Sequence, residues 1–147
     1  MPHIAIEVSP SLLPSIQWEP VLHAMHLALA ERGWARLADL KSRVAPIAVG
    51  LCGEDPHAQQ LIATLTLTNP RPPQMCSAMA EVVFEHLSRA IGAIGAIGAI
   101  GAIGPIDAHP ESAAWVQCCV FLQEHPKSHY LKRQWNAPPP PPVPPTP

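Results

Sequence analysis

Four positions in this sequence carry residue types suited to chemistry: Pro2, Lys41, Arg43 and Arg71. Pro2 follows the initiator Met1 directly, and methionine is normally trimmed when the next residue is small. Trimming turns Pro2 from a tertiary amide without an N–H into a free secondary amine held in a rigid ring. An ordinary α-amino group titrates at about 7.7 to 8.0, and burial or a neighbouring cation lowers that value. Such an amine can accept a proton near neutral pH, as general-base catalysis requires. Lys41 and Arg43 are two residues apart in an extended stretch, Lys41-Ser42-Arg43-Val44-Ala45, so they share a strand face. Either could receive a carboxylate, and arginine does so in a planar, two-pronged geometry. Arg71 stands in Asn69-Pro70-Arg71-Pro72-Pro73, between a strand end and a helix start, where first-turn N–H groups attract anions. Each position also has a plainer reading. Pro2 is a common second residue, Lys41 and Arg43 could form a solvated edge pair, and Arg71 could be a solvated loop arginine.

These groups need elements to hold them. Ile4, Ile6 and Val8 alternate with His3, Ala5 and Glu7, the period of a half-buried strand. Pro10 and Pro14 among serines mark a loop. Glu19 and Pro20 then suit the first turn of a helix. That helix carries an apolar stripe, Leu22, Met25, His26 and Leu29, and Gly33 sits where a left-handed cap belongs. After the Lys41 stretch and a turn at Gly53-Glu54-Asp55-Pro56, residues 61–68 form the clearest strand. Leu61, Ala63, Leu65 and Leu67 lie on one face of it, and Thr64, Thr66 and Thr68 on the other. A second helix follows Arg71, with Met75, Met79, Val82, Val83 and Ala90 at helical spacing. A last strand is expected over 114–123, apolar on both faces, as befits a sheet covered once by helices and once by a neighbouring subunit. Two similar βαβ units about sixty residues apart predict an α+β two-layer fold: one four-stranded sheet with both helices on its apolar face.

The whole-chain properties set limits. At 147 residues the chain is one domain's worth. A net charge of -2 gives no broad basic surface for nucleic acid. The start has no charged segment followed by an apolar core, so no secretory signal is read there, and a cytoplasmic protein is expected. Cys52, Cys76, Cys118 and Cys119 lack the spacing of a zinc or redox site and are expected as buried free thiols. His23 and His26 are three apart with no third ligand at a recognisable spacing, so neither a metal nor a cofactor is expected. An Ile-Gly-Ala repeat over 91–104 falls short of the ~20 apolar residues of a membrane span and is diluted by glycine. It is expected as an insertion that partly continues the second helix. Residues 137–147 are almost all proline and are expected as a disordered polyproline II tail after a domain spanning 1–136.

Taken in order, Met1-Pro2-His3 with its following strand, Lys41-Ser42-Arg43-Val44, Asn69-Pro70-Arg71 and the late His125-Pro126 resemble the 5-carboxymethyl-2-hydroxymuconate isomerase branch of the tautomerase superfamily. The resemblance covers roughly residues 1–90 and 114–136. It implies a homotrimer in which Pro2, as the amino terminus, shuttles a proton within an unsaturated di- or tricarboxylic enol acid met in aromatic-compound catabolism. It further implies that Arg43 and Arg71, with Lys41, bind the substrate's carboxylates and steady the developing oxyanion. Lys41 stands where the family typically has arginine. That departure favours a first alternative, a tautomerase acting on a different enol acid. A second alternative is a non-enzymatic tautomerase-fold binding protein.

Overall fold

A computed structural model of the chain describes residues 1–100 and 115–136. Four strands, β1 (Pro2–Val8), β2 (Lys41–Pro46), β3 (Gln59–Leu67) and β4 (Val116–Glu124), form one sheet in the order β2-β1-β3-β4. β1 runs parallel to β2 and antiparallel to β3, and β3 runs parallel to β4. The two parallel pairs are the two βαβ units. Helix α1 (Trp18–Glu31) makes the first crossover and α2 (Pro73–Ile100) leads into the second, since parallel neighbours cannot be joined by a tight turn.

The sheet face that meets the helices is built from the even-numbered residues of β1 and the odd-numbered residues of β3, in line with the expected alternation. Ile4, Ile6, Val8, Leu61, Ala63, Leu65 and Leu67 are buried there against Met25 and Leu29 of α1 and Met79, Val83 and Leu87 of α2. Pro2 belongs to the same face and is fully buried. At the end of α1, Arg32 closes the last turn and Gly33 takes φ +70°, a left-handed conformation that glycine adopts without a Cβ penalty. The opposite sheet face carries no helix, and Phe121 of β4 is half exposed on it.

The clearest strand begins two residues earlier than its pattern suggested, at Gln59, and the last strand runs Val116–Glu124. The glycine repeat continues α2 as far as Ile100; its remainder and the proline-rich 137–147 lie outside the described residues. All four cysteines are free, but only Cys76 is buried, the other three being half-buried. The correction has a simple cause: β4 is an edge strand, so Cys118 and Cys119 each keep one open side. Cys118, on the helix side of β4, still has its thiol pushed up to about 11 by burial. Among the described residues no group of three metal-ligating side chains occurs, and no helix is long and apolar enough to cross a membrane.

Candidate functional site

The front of β1 lies at one end of the sheet, beside the end of α1 and the β3–α2 loop. Pro2 pairs with Leu67 at the end of β3. A cavity of about 520 Å³ opens beside it, lined by Met1, Pro2, Trp34, Arg36, Asp39, Asn69 and Arg71 among others. Two sequence-expected residues, Pro2 and Arg71, therefore meet at one site. Arg71 is steadied by a hydrogen bond from its Nη1 to the carbonyl of Asn69, 3.1 Å. Few helix N–H groups are available at this turn. Pro73, the first helical residue, has no N–H, and the N–H groups of Met75 and Cys76 donate to the Pro72 carbonyl. In this first turn Gln74 keeps an N–H with no backbone acceptor among the described residues, beside the Arg71 side chain.

Lys41 and Arg43 lie elsewhere. The parallel register pairs His3 with Lys41 and Ala5 with Arg43, so both cations stand on the helix-free sheet face, opposite the face to which Pro2 belongs. Arg43 lines a second cavity of about 290 Å³ with His3, Thr66, Thr68, His125, His129 and Tyr130. Lys41 folds its ammonium onto the carbonyls of Ala38 (3.0 Å) and Leu40 (3.3 Å). A single chain does not bring Lys41 or Arg43 into the cavity that Pro2 and Arg71 share.

Several groups that did not stand out in the sequence surround the chain start. Thr68, only 4% exposed, is the one buried polar side chain of the described core. Its hydroxyl accepts a hydrogen bond from the Met1 amine at 2.8 Å and donates to the Met1 carbonyl at 3.1 Å. Tyr130, the chain's single tyrosine, places its hydroxyl 3.6 Å from the Met1 Sδ and its ring edge-on to His3, 5.6 Å between centroids. Asp39 is gripped by Arg36 at 2.7 Å and approached by Lys132 at 3.8 Å. The Arg36 hydrogen bond holds its carboxyl below the usual range against the opposing effect of burial. The local signal for this pair was the Arg36-x-x-Asp39 spacing; Tyr130 and Lys132 fall in the basic run 125–133, and it is the return of the chain after β4 that brings them here.

The electrostatics at the chain start lower the basicity of its amine. Burial, and then the positive charge of Arg71, push the Met1 amino group below its ordinary 8.0, with Lys132 adding to the effect and Asp39 opposing it. His3 is lowered as well, by burial first and then by Lys41, the amino terminus, Arg43 and Lys132.

A four-stranded mixed sheet of paired βαβ units, with both helices on one face, is a tautomerase-like fold. Solved structures that share it include a 5-carboxymethyl-2-hydroxymuconate isomerase from Deinococcus radiodurans R1, with a TM-score of 0.67 and 12% identity over 90% of this chain and 88% of that one. A 5-carboxymethyl-2-hydroxymuconate delta-isomerase aligns with a TM-score of 0.63 and 11% identity, covering 92% and 89% of the two chains. A fused 4-OT described as a symmetric trimer aligns with a TM-score of 0.60 and 14% identity, covering 86% and 87%. No family model and no curated protein matches the sequence. At these identities the likeness establishes the fold.

Proposed function

We propose that this chain is a tautomerase: once Met1 is removed, the Pro2 amine acts as general base and moves a proton within an unsaturated di- or tricarboxylic enol acid of the 5-carboxymethyl-2-hydroxymuconate kind. The observation that carries this reading is the cavity in which Pro2 and Arg71 meet, in surroundings that already depress the basicity of an amine one residue away. The unprotonated Pro2 amine takes the proton from the enol oxygen and delivers it to a conjugated carbon, which leaves the keto form and the free amine. Arg71 binds a carboxylate and favours the charge that develops on the enolate oxygen. The fold shared with isomerases supports the same reaction class. The protein works as a homotrimer in the cytoplasm, in the breakdown of aromatic compounds. The free sheet edges at β2 and β4 and the helix-free face carrying Phe121 are the surfaces a trimer would use. Arg43, with Lys41 beside it, serves substrate binding only where a neighbouring copy brings its cavity to the site.

A second reading has an observation of its own. Lys41 spends its ammonium on two backbone carbonyls, and Arg43 faces a separate cavity, which favours an enol acid with a different arrangement of carboxylates. Intact mass of the purified chain tests whether Met1 is lost, and ultraviolet assay of enol-to-keto conversion over a panel of enol acids tests turnover. The Pro2→Ala variant is expected to lower kcat by about 100-fold or more. Undiminished turnover in that variant, or equal turnover in chains that keep Met1, overturns the mechanism.

A further inference from the structure

Met1 is the wall between two cavities. The one of about 520 Å³ is lined by Met1, Arg36, Asp39, Asn69 and Arg71. Another, of about 410 Å³, is lined by Met1, Arg36, Asp39 and Asn69 again, but with Thr68, Lys127, Tyr130 and Lys132 in place of Arg71. Of the four residues that line both, only Met1 leaves on trimming, and its loss removes a wall that the two spaces share. The polar surroundings there can be read from what Met1 touches. Thr68 offers a hydroxyl to the Met1 carbonyl and Tyr130 offers one to Sδ, and both donors lose their partner when Met1 leaves.

Charge is distributed unevenly along the two spaces. Among the described residues Asp39 is the sole carboxylate lining either cavity, and Arg36 grips it directly. Arg36 therefore spends its charge on Asp39. Lys132 stands farther off, at 3.8 Å, with its side chain 28% exposed, so its ammonium is only loosely committed. Beyond the Pro2 amine, Arg71, bonded to a backbone carbonyl and to no carboxylate among the described residues, lies at one end, and Lys132 with Lys127 at the other. Tyr130 projects into the same end. Cations set apart in this way suit a ligand with an anionic group at each end.

Resting on the function proposed above, we propose that the segment Lys127–Lys132 forms the distal carboxylate subsite. Lys132 and the Tyr130 hydroxyl hold one carboxylate of a diacid whose other carboxylate is held by Arg71, and Met1 plugs this site until it is removed. Tyr130 and Lys132 thereby set the preference for diacids over monoacids. They position the ligand and take no part in the proton transfer.

The test is binding, measured by calorimetry on the full trimmed chain with adipate and hexanoate as probes. Adipate is expected to bind at least about tenfold more tightly than hexanoate, the worth of one charge-assisted contact. In Lys132→Met that ratio falls towards one while hexanoate affinity is kept, and in Tyr130→Phe the ratio falls part way. Chains that retain Met1, confirmed by mass, bind neither probe. Equal affinity for the two acids in the trimmed wild type, or an unaltered ratio in Lys132→Met, overturns the proposal. The outcome separates from that of the catalytic reading. Loss of the ratio in Lys132→Met with full turnover in Pro2→Ala would leave the subsite standing and remove Pro2 as the base; the reverse pattern would do the opposite.

Discussion

Replacing Thr68 with valine tests the contacts around the chain start, because the effect should depend on whether one other residue is present. Valine preserves the volume and removes the hydroxyl. In the chain that keeps Met1, this deletes a hydrogen bond accepted from the amino group and one donated to the Met1 carbonyl. A neutral hydrogen bond contributes about 1 kcal/mol and one to a charged group about 1.5–3 kcal/mol. The amine is partly open to solvent, which places the total near the low end, about 2 kcal/mol. For a domain of this size that lowers Tm by roughly 4–8 °C. Trimmed chains have neither bond, and the loss of Met1 leaves the Thr68 hydroxyl lining a cavity that water can enter. There the same substitution should be close to neutral, since a hydroxyl that can exchange its protein partner for water contributes little net stability. The assay is denaturant unfolding of both mass-verified forms at one protein concentration, because assembly would make stability depend on concentration. An equal loss in the two forms would refute the argument that Met1 is what Thr68 serves.

Two further outcomes are expected besides those for Pro2, Tyr130 and Lys132. His26 has a buried Nε2 without a hydrogen-bond partner, and burial, then Lys41 and His23, hold its pKa below the ordinary 6.5. The folded state then binds fewer protons than the unfolded state between the lowered value and 6.5, so stability rises with pH through that window and is flat above it. His3 contributes in the same sense; His26→Leu should therefore flatten the slope without abolishing it, as read from urea midpoints between about pH 5 and 7. An unaltered slope would show that His26 is solvated in the native protein. Arg71→Met removes a charge that lowers the neighbouring amine. The acid limb of kcat/KM should move to higher pH and the KM for a carboxylate substrate should rise; a limb that stays put would mean that the trimmed amine does not sense Arg71.

Much of the architecture could be read from local patterns because strand and helix periods belong to the backbone. The alternation in Ile4-Ala5-Ile6-Glu7-Val8 and in residues 61–68 assigned the buried faces correctly, and Gly33 marked the end of α1. Pro2 and Arg71 were visible as residue types placed at element ends, and the structure puts them in one cavity. Lys41 and Arg43 were recognisable as a same-face pair, but a pattern of period two does not say which face that is relative to another strand. Only the register of β1 with β2 assigned them to the face opposite Pro2. Residues 36–39 carried a weak local cue. Tyr130 and Lys132 fall in the basic run 125–133, but more than a hundred residues separate them from Met1 and their approach depends on where β4 releases the chain. What the sequence alone determined was the set of elements and the chemical groups at their ends. Which cations share a space with the chain start was decided by strand pairing and by the chain's return after β4, because neither is encoded within any short window of residues.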